Sequence, residues 1–471
     1  MEVISTRKFT KGMISVLFSQ AFSILVSFVL GFIVPKFIDE YQYAYWQSFI
    51  LYYGYVAIAN FGMLDGFILR YSQYDYEDLD KRKVCSFFRT LMIWVILIAI
   101  LMSIVFFVFF NNEYKWVGLL VSLGIVIRHF WAYNYDIFQT TNRMSLYARL
   151  TIVQRAVYVI MVIGLIVLGV NNFVYYCLAE LSGEVVAALL SIKHNKGLFL
   201  GQGLTWNDNI NEIKLNVSAG ILLLVANLAA NFIIGGAKVI IQFRWDVLVF
   251  GKVSFSFSLT NIFLSFVTAI SIVLFPSLKR MDVDKLPGLY YRIKNILSPI
   301  LFFSLLLYFP LCWILQLWLP KYNDSLVYLG VLLPLIIYTA TISLLTNNYL
   351  KTYRKEREML VVNVITVLIS LSISLIAAYL LNSLNILLYG VVISVILRSF
   401  ISERIVMKVI NRRMNKAVIE EVVLTIIFIF SVQFENQWLG CLIYLFTLFI
   451  YLIINSGNIK EIVGDIFSAL K

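Results

Sequence analysis

Charge is scarce in this chain. Only 14% of its residues are Asp, Glu, Lys or Arg, against 61% hydrophobic, where a soluble domain carries about a quarter charged residues. Over 471 residues that scarcity excludes the two or three soluble domains such a length would otherwise hold. Histidine is nearly missing: His129 and His194 are the only two, too few for a His-rich metal site. Four cysteines (Cys85, Cys177, Cys312 and Cys441) stand singly within or beside apolar stretches. Without CxxC spacing they indicate neither a disulfide framework nor a zinc site. No metal and no cofactor are expected.

What fills the chain instead is apolar sequence in lengths that match a bilayer, whose ~30 Å hydrocarbon core takes about 20 helical residues. Fourteen spans are expected, at roughly 12–35, 43–69, 86–110, 116–140, 147–170, 172–192, 213–235, 247–278, 295–318, 325–349, 358–381, 385–409, 417–433 and 437–456. The first follows Arg7, Lys8 and Lys11 as a signal peptide would. It is too long and lacks a small-residue cleavage site, so it reads as an uncleaved helix. Lysine and arginine crowd into every second gap. With the N-terminus inside, the cytoplasmic segments hold 30 of the 38 basic residues and the outside six: Lys36, Lys115, Lys238, Arg244, Lys252 and Lys321. Basic loops stay cytoplasmic, so both termini are expected there. The net charge of +12 is then topogenic charge facing anionic lipid, and no nucleic-acid partner is implied.

The longest external connection, 235–246, is about a dozen residues, which leaves no room for an external active site. The chain is expected not to be an enzyme. The longest internal connection, 191–211, contains Gly197, Gly201 and Gly203 and separates two sets of six spans. With six spans before it, any duplication is a parallel repeat about an axis normal to the membrane. A faint echo supports one: Leu69-Arg70 followed by Asp78-Leu79-Asp80-Lys81, and Leu278-Lys279-Arg280 followed by Asp282-Val283-Asp284-Lys285. The expected organisation is an all-α polytopic membrane protein with an N-terminal lobe at 1–192, a cytoplasmic linker at 193–212 and a C-terminal lobe at 213–410. Two extra helices at 411–456 and an amphipathic cytoplasmic tail at 457–471 complete it. In that tail Ile459, Ile462, Val463, Ile466, Phe467 and Leu470 follow helical spacing opposite Lys460, Glu461, Asp465 and Lys471, the pattern of a helix lying on a membrane surface.

Some polar residues fall where lipid should be. Arg128, Asp136, Arg155 and Glu180 lie inside the fourth, fifth and sixth spans. Each costs about 2.5–3.5 kcal/mol at mid-bilayer, so they pair with one another or face water. Arginine suits bidentate phosphate contacts, and Trp131, Tyr133 and Tyr135 beside Arg128 are of a kind that stacks on sugar rings. The bland alternative is ion pairs that only tie helices together. Ser15, Ser19, Ser23, Ser27 and Gly31 form a small-residue stripe on the first span, the pattern of close helix packing. The seventh and eighth spans carry Asn216, Gly220, Asn227 and Asn231, and Ser254, Ser258, Asn261, Ser265 and Thr268, which suggest walls of a wet cavity. Lys252, near the outer end and off that stripe, is a candidate cavity cation or a residue snorkelling to the interface. Asp65 and Arg70 close the second span and are candidates for a gate at the cytoplasmic mouth.

Several segments carry a family resemblance. Phe61-Gly62-Met63-Leu64-Asp65-Gly66-Phe67 with Leu69-Arg70-Tyr71 is similar to the segment closing the second helix of polysaccharide (O-antigen and capsule) flippases. Phe250-Gly251-Lys252-Val253-Ser254-Phe255-Ser256-Phe257-Ser258-Leu259 and Leu274-Phe275-Pro276-Ser277-Leu278-Lys279-Arg280 resemble their eighth. Leu319-Pro320-Lys321-Tyr322 and Tyr349-Leu350-Lys351 resemble segments around their tenth. The likeness runs over residues about 10–410 and points to the multidrug/oligosaccharidyl-lipid/polysaccharide exporter superfamily. It implies two six-helix lobes with the first, second, seventh and eighth helices lining a central cavity, and two extra C-terminal helices. Peptidoglycan-precursor flippases of that superfamily carry basic residues in the first helix, where this chain has serines.

The resulting expectation is a flippase of a bacterial plasma membrane. Its cargo is an undecaprenyl-diphosphate-linked oligosaccharide, driven by Na⁺ or H⁺, with other polysaccharide-assembly membrane proteins as further partners. The expected cavity residues are Arg128, Arg155, Asp136, Glu180, Asn227, Asn231, Ser258, Asn261 and Ser265. The rival readings are a cation-coupled drug or small-molecule exporter of the same superfamily, with Asp136 and Glu180 as proton carriers, and a membrane polysaccharide polymerase or glycosyltransferase.

Overall fold

The structure, a computed structural model, describes residues 6–199, 201–279, 284, 286–412 and 417–455. The expected amphipathic tail at 457–471 lies outside the described residues. Every regular element among the described residues is helical. Lipid demands this, because its core has no water to satisfy a free backbone N–H or C=O, and a helix satisfies both within itself. The chain divides into two compact units, Met1–Leu228 and Ala229–Lys471. The cut falls inside a helix, beyond the linker expected at 193–212.

The first unit holds α1 (Thr6–Phe37), α2 (Glu40–Tyr53), α3 (Met63–Tyr71), α4 (Lys81–Phe109), α5 (Asn112–Thr140), α6 (Met144–Val167) and α7 (Phe173–Asn195), and the first part of α8 (Trp206–Arg244). Short polar side chains start several of them. Asp39 accepts from the N–H of Tyr41, Asp80 from those of Arg82 and Lys83, and Asn172 from that of Val174, supplying first-turn donors that have no partner within the helix. Helices α5 and α7 are central: α5 packs against α2, α4 and α7, α7 against α6, and α1 runs along α6. On the outer α4, Leu97, Ile100, Leu101 and Ile104 are exposed at helical spacing, a stripe suited to lipid. The serine stripe of α1 is satisfied locally, since Ser19, Ser23 and Ser27 each donate to a carbonyl one turn back on the same helix.

In the second unit, α9 (Val247–Lys279) packs against a bent span made of α12 (Asn323–Leu332), α13 (Leu335–Ala340) and α14 (Asn347–Thr352). Its two arms meet at 50° around Pro334, where a helix loses a hydrogen bond and kinks. Helices α10 (Leu286–Ser304) and α11 (Tyr308–Trp318) follow α9 in sequence. Helix α15 (Glu356–Leu375) pairs with α16 (Leu384–Val409), and α17 (Ala417–Val432) with α18 (Gln437–Ile454).

Among the described residues, eleven helices are long and apolar enough to cross a membrane, or twelve if the bent pair counts as one span. The span expected at 417–433 falls on α17, described from Ala417 to Val432. The span expected at 43–69 is broken: α2 ends at Gly54, a 3₁₀ turn covers Val56–Asn60, and Phe61 and Gly62 adopt left-handed φ values of 49° and 81°. Asn60 Oδ1 fixes that turn by accepting from the Gly62 N–H at 2.9 Å. The external loop expected at 235–246 is also replaced by helix. Helix α8 continues through it for 39 residues in all, about 58 Å, so Lys238 and Arg244 sit on a helix rather than in a loop. Arg244 is held there by Ala378 O at 3.1 Å and Asn382 Oδ1 at 2.9 Å. Lys294 and Arg398, which the charge pattern assigns to cytoplasmic segments, are buried within α10 and α16.

The turn at Gly62 brings α3 against the first part of α8 backbone to backbone. A Cβ on Gly62 would stand 2.7 Å from Gly220 C and Ile221 N, and one on Gly66 would overlap the Asn216 backbone. Gly62→Ala should therefore destabilise the protein by about 2–4 kcal/mol, combining overpacking with a left-handed φ. Gly164→Ala in α6, where a Cβ meets nothing within 4 Å, should be neutral or slightly stabilising. Thermal melting of the detergent-purified variants reads the difference, and equal melting temperatures would contradict the close approach.

Candidate substrate site

Three helices of the first unit each turn one polar face inward. Helix α1 offers Gln20 and Ser23, α5 offers Arg128, Trp131 and Tyr135, and α6 offers Thr151, Gln154 and Arg155, at spacings of three or four residues that put side chains on one side of a helix. Together they line a cavity of about 210 Å³. Arg128 and Arg155, the two basic residues that break the loop pattern, are both in its wall.

The charge there is anchored by a residue the sequence reading passes over, Glu184 on α7. Its side chain is 0% exposed, and three helices besides α7 supply its partners. Arg128 Nη1 from α5 is ion-paired with Oε1, Tyr53 Oη from α2 donates to Oε2 at 2.5 Å, and Gln154 Nε2 from α6 donates to Oε1 at 3.4 Å. Arg128 keeps 44% of its side chain exposed. The guanidinium is thus tethered through Nη1 while the rest of its five-donor fork remains open to the cavity. Its plane also lies 5.6 Å from the Tyr53 ring centroid, within cation–π range.

The expected carboxylate partners take other positions. Glu180, one helical turn before Glu184, lies within electrostatic reach of both Arg155 and Arg128. Asp136 is two turns along α5 from Arg128 and near Asp65; it is buried and does not line the cavity. The aromatic expectation divides similarly. Trp131 and Tyr135 belong to the wall, their ring centroids 5.3 Å apart. Tyr133 points into the core among Phe67, Phe87, Phe88 and Phe199, with its hydroxyl donated to Val84 O at 3.2 Å.

Asn227, Asn231 and Asn261 are exposed on α8 and α9, and Ser258 and Ser265 donate to carbonyls one turn back on α9 at 2.9 and 2.8 Å. Lys252 Nζ is 2.5 Å from Asp324 Oδ2, linking α9 to α12. Of the two candidate gate residues, Arg70 reaches to α8. Arg70 Nη1 donates to Glu212 Oε1 and to Asn216 Oδ1, both at 2.6 Å, and Nη2 to Glu212 Oε2 at 3.3 Å. Tyr71 Oη adds a fourth bond to Glu212 at 2.8 Å. These four bonds clasp α3 to the first turns of α8.

No family model matches this sequence, and no curated protein sequence does. Solved structures do share its fold. "Lipid II flippase MurJ, inward closed conformation" aligns with a TM-score of 0.65 and 14% identity over 96% of this chain and 100% of that one. An inward-facing multidrug resistance MATE family transporter of the MOP superfamily aligns at 0.58 and 12%, over 89% and 97%. A MATE protein in the straight conformation aligns at 0.57 and 14%, over 88% and 96%. These neighbours are transporters and flippases rather than enzymes, and this chain is a multi-pass membrane protein with their fold.

Proposed function

We propose that the protein is a flippase that moves an undecaprenyl-diphosphate-linked oligosaccharide from the inner to the outer leaflet of a bacterial plasma membrane, for surface polysaccharide synthesis. The observation that carries this reading is Arg128: a guanidinium tethered at one nitrogen by buried Glu184 and otherwise open to a polar cavity that Arg155 shares. Such a fork is suited to a diphosphate, and Trp131 and Tyr135 offer flat faces to sugar rings. The lipid tail stays in the bilayer while the polar headgroup crosses through the protein. The two lobes, with both termini cytoplasmic, rock to expose the route alternately to each side. The Arg70–Glu212 clasp serves as a gate in that cycle.

A second reading, an exporter of drugs or other small molecules, is favoured by the MATE neighbours and by the balance of two arginines against Glu180 and Glu184 around the cavity. Cells lacking the protein separate the two. The flippase reading expects lipid-linked oligosaccharide to accumulate on the inner leaflet with drug susceptibility unchanged. Normal outer-leaflet exposure in a strain without paralogues would refute it.

Arg155→Ala should lower transport roughly ten- to a hundredfold, the worth of a charge-assisted hydrogen bond of about 1.5–3 kcal/mol, at unchanged protein abundance. Arg128→Ala alone strands a buried carboxylate and should also lower abundance. The pair Arg128→Gln with Glu184→Gln restores abundance but not transport, as quantitative blotting beside a flipping assay would show. If the double variant transports normally, Arg128 only ties helices together. For the gate, Arg70→Ala and Glu212→Ala should impair transport to a similar degree, and the double variant should be no worse than either single one.

A further inference from the structure

The second unit holds a cluster of charge that the cargo reading does not use. Lys294 of α10, Glu403 of α16 and Glu421 of α17 meet with side chains no more than 4% exposed. Lys294 Nζ donates to Glu403 Oε1 at 2.5 Å and Oε2 at 2.6 Å, and lies 3.6 Å from Glu421 Oε1. Ser298 Oγ donates to Glu421 Oε1 at 2.7 Å. Two carboxylates therefore share a single ammonium. A carboxylate left uncompensated away from water costs several kcal/mol, and a proton removes that charge. The ammonium already fills the cation position between the two acids, so a metal ion placed there would meet a like charge within bonding distance.

The geometry also selects the acid. Glu403 spends both oxygens on Lys294, whereas Glu421 has the longer ion contact and a neutral hydroxyl donor. Further polar groups surround the cluster. Tyr290 of α10 is fully buried within electrostatic reach of both carboxylates, and its hydroxyl has no hydrogen-bond partner among the described residues. Tyr338 of α13 donates to the Glu421 carbonyl oxygen at 3.3 Å and shares a 2.7 Å hydrogen bond with Thr425. Tyr451 of α18 lies within electrostatic reach of Glu421 and of Glu420, whose carboxylate accepts from Asn455. On the Glu403 side stands Tyr291, which Arg412 also faces. A cavity of about 250 Å³, walled mostly by apolar side chains such as Ile396, Leu397, Phe400 and Val418, opens on both carboxylates between α16 and α17.

We propose that Lys294, Glu403 and Glu421 form a proton-binding site in which Glu421 takes up and releases a proton, and so sets how firmly α17 is tied to α10 and α16. The site belongs to the second unit and stands whether the cargo is a lipid-linked sugar or a small molecule. The proton neutralises Glu421 while Lys294 stays paired with Glu403. Its release leaves two carboxylates competing for one ammonium.

Infrared difference spectroscopy of the full-length protein in lipid, titrated from about pH 6 to 9, above the range of ordinary carboxylates, tests this. The wild type should show a protonated-carboxyl carbonyl band that is lost as pH rises. Glu421→Gln should abolish that band, because the neutral amide replaces the protonated acid. Glu403→Gln should abolish it as well, since one carboxylate then faces one ammonium and needs no proton. Glu358→Gln, at a partly exposed carboxylate of α15 beside Lys355, should leave it in place. Absence of a titrating carboxyl band in the wild type, or its persistence in either Glu421→Gln or Glu403→Gln, would overturn the proposal.

Discussion

A charge inside hydrocarbon persists only beside its opposite or beside water, and the first unit is arranged around a single solution of that problem. Glu184 is completely enclosed, and donors from α2, α5 and α6 converge on it. This convergence sets the rotation of those helices about their own axes, because each must turn a polar group toward α7. Once they have done so, the adjoining faces carry Gln20, Ser23, Trp131, Tyr135 and Arg155 to the cavity wall. The polar interior thus follows from satisfying one buried carboxylate. Arg128 shares in both tasks, neutralising Glu184 and keeping an exposed flank.

Much of the fold was legible as apolar length, since most of the expected spans fall on one long helix each. The errors fall where tertiary contacts overrule local signals. Gly235, Gly236, Lys238 and Arg244 read as a loop, yet helix persists through them. Gly236 lets Leu371 of α15 approach closely, and Arg244 is held by the end of α15; neither contact is visible to local composition. The break after Tyr53 was written in the sequence, in Gly54 and in Asn60-Phe61-Gly62, but a run that is apolar on both sides of such a turn still averages to one span. The long α8 and the division of the chain inside it are likewise products of packing.

The candidate site was partly legible. Arg128 and Arg155 announce themselves as cations in apolar runs. Glu184 carried the same signal one turn past Glu180 and was overshadowed by it. Lys294 and Arg398 were masked by their closeness to basic loops, where a charge needs no explanation; only burial distinguishes them from topogenic neighbours. The serines and asparagines of α1, α8 and α9 show the opposite limit. A hydroxyl can return its hydrogen bond to its own helix, so a polar stripe alone does not reveal whether water lies beside it.

The contact between α3 and α8 has a mechanical implication. Gly62, Gly66 and Gly220 meet without side chains, so the two helices touch along smooth surfaces rather than through interlocked knobs and holes. Such a seam has no rotamers to rearrange, so its attraction comes from backbone-to-backbone contact, and the Arg70 clasp at one end supplies its directional bonds.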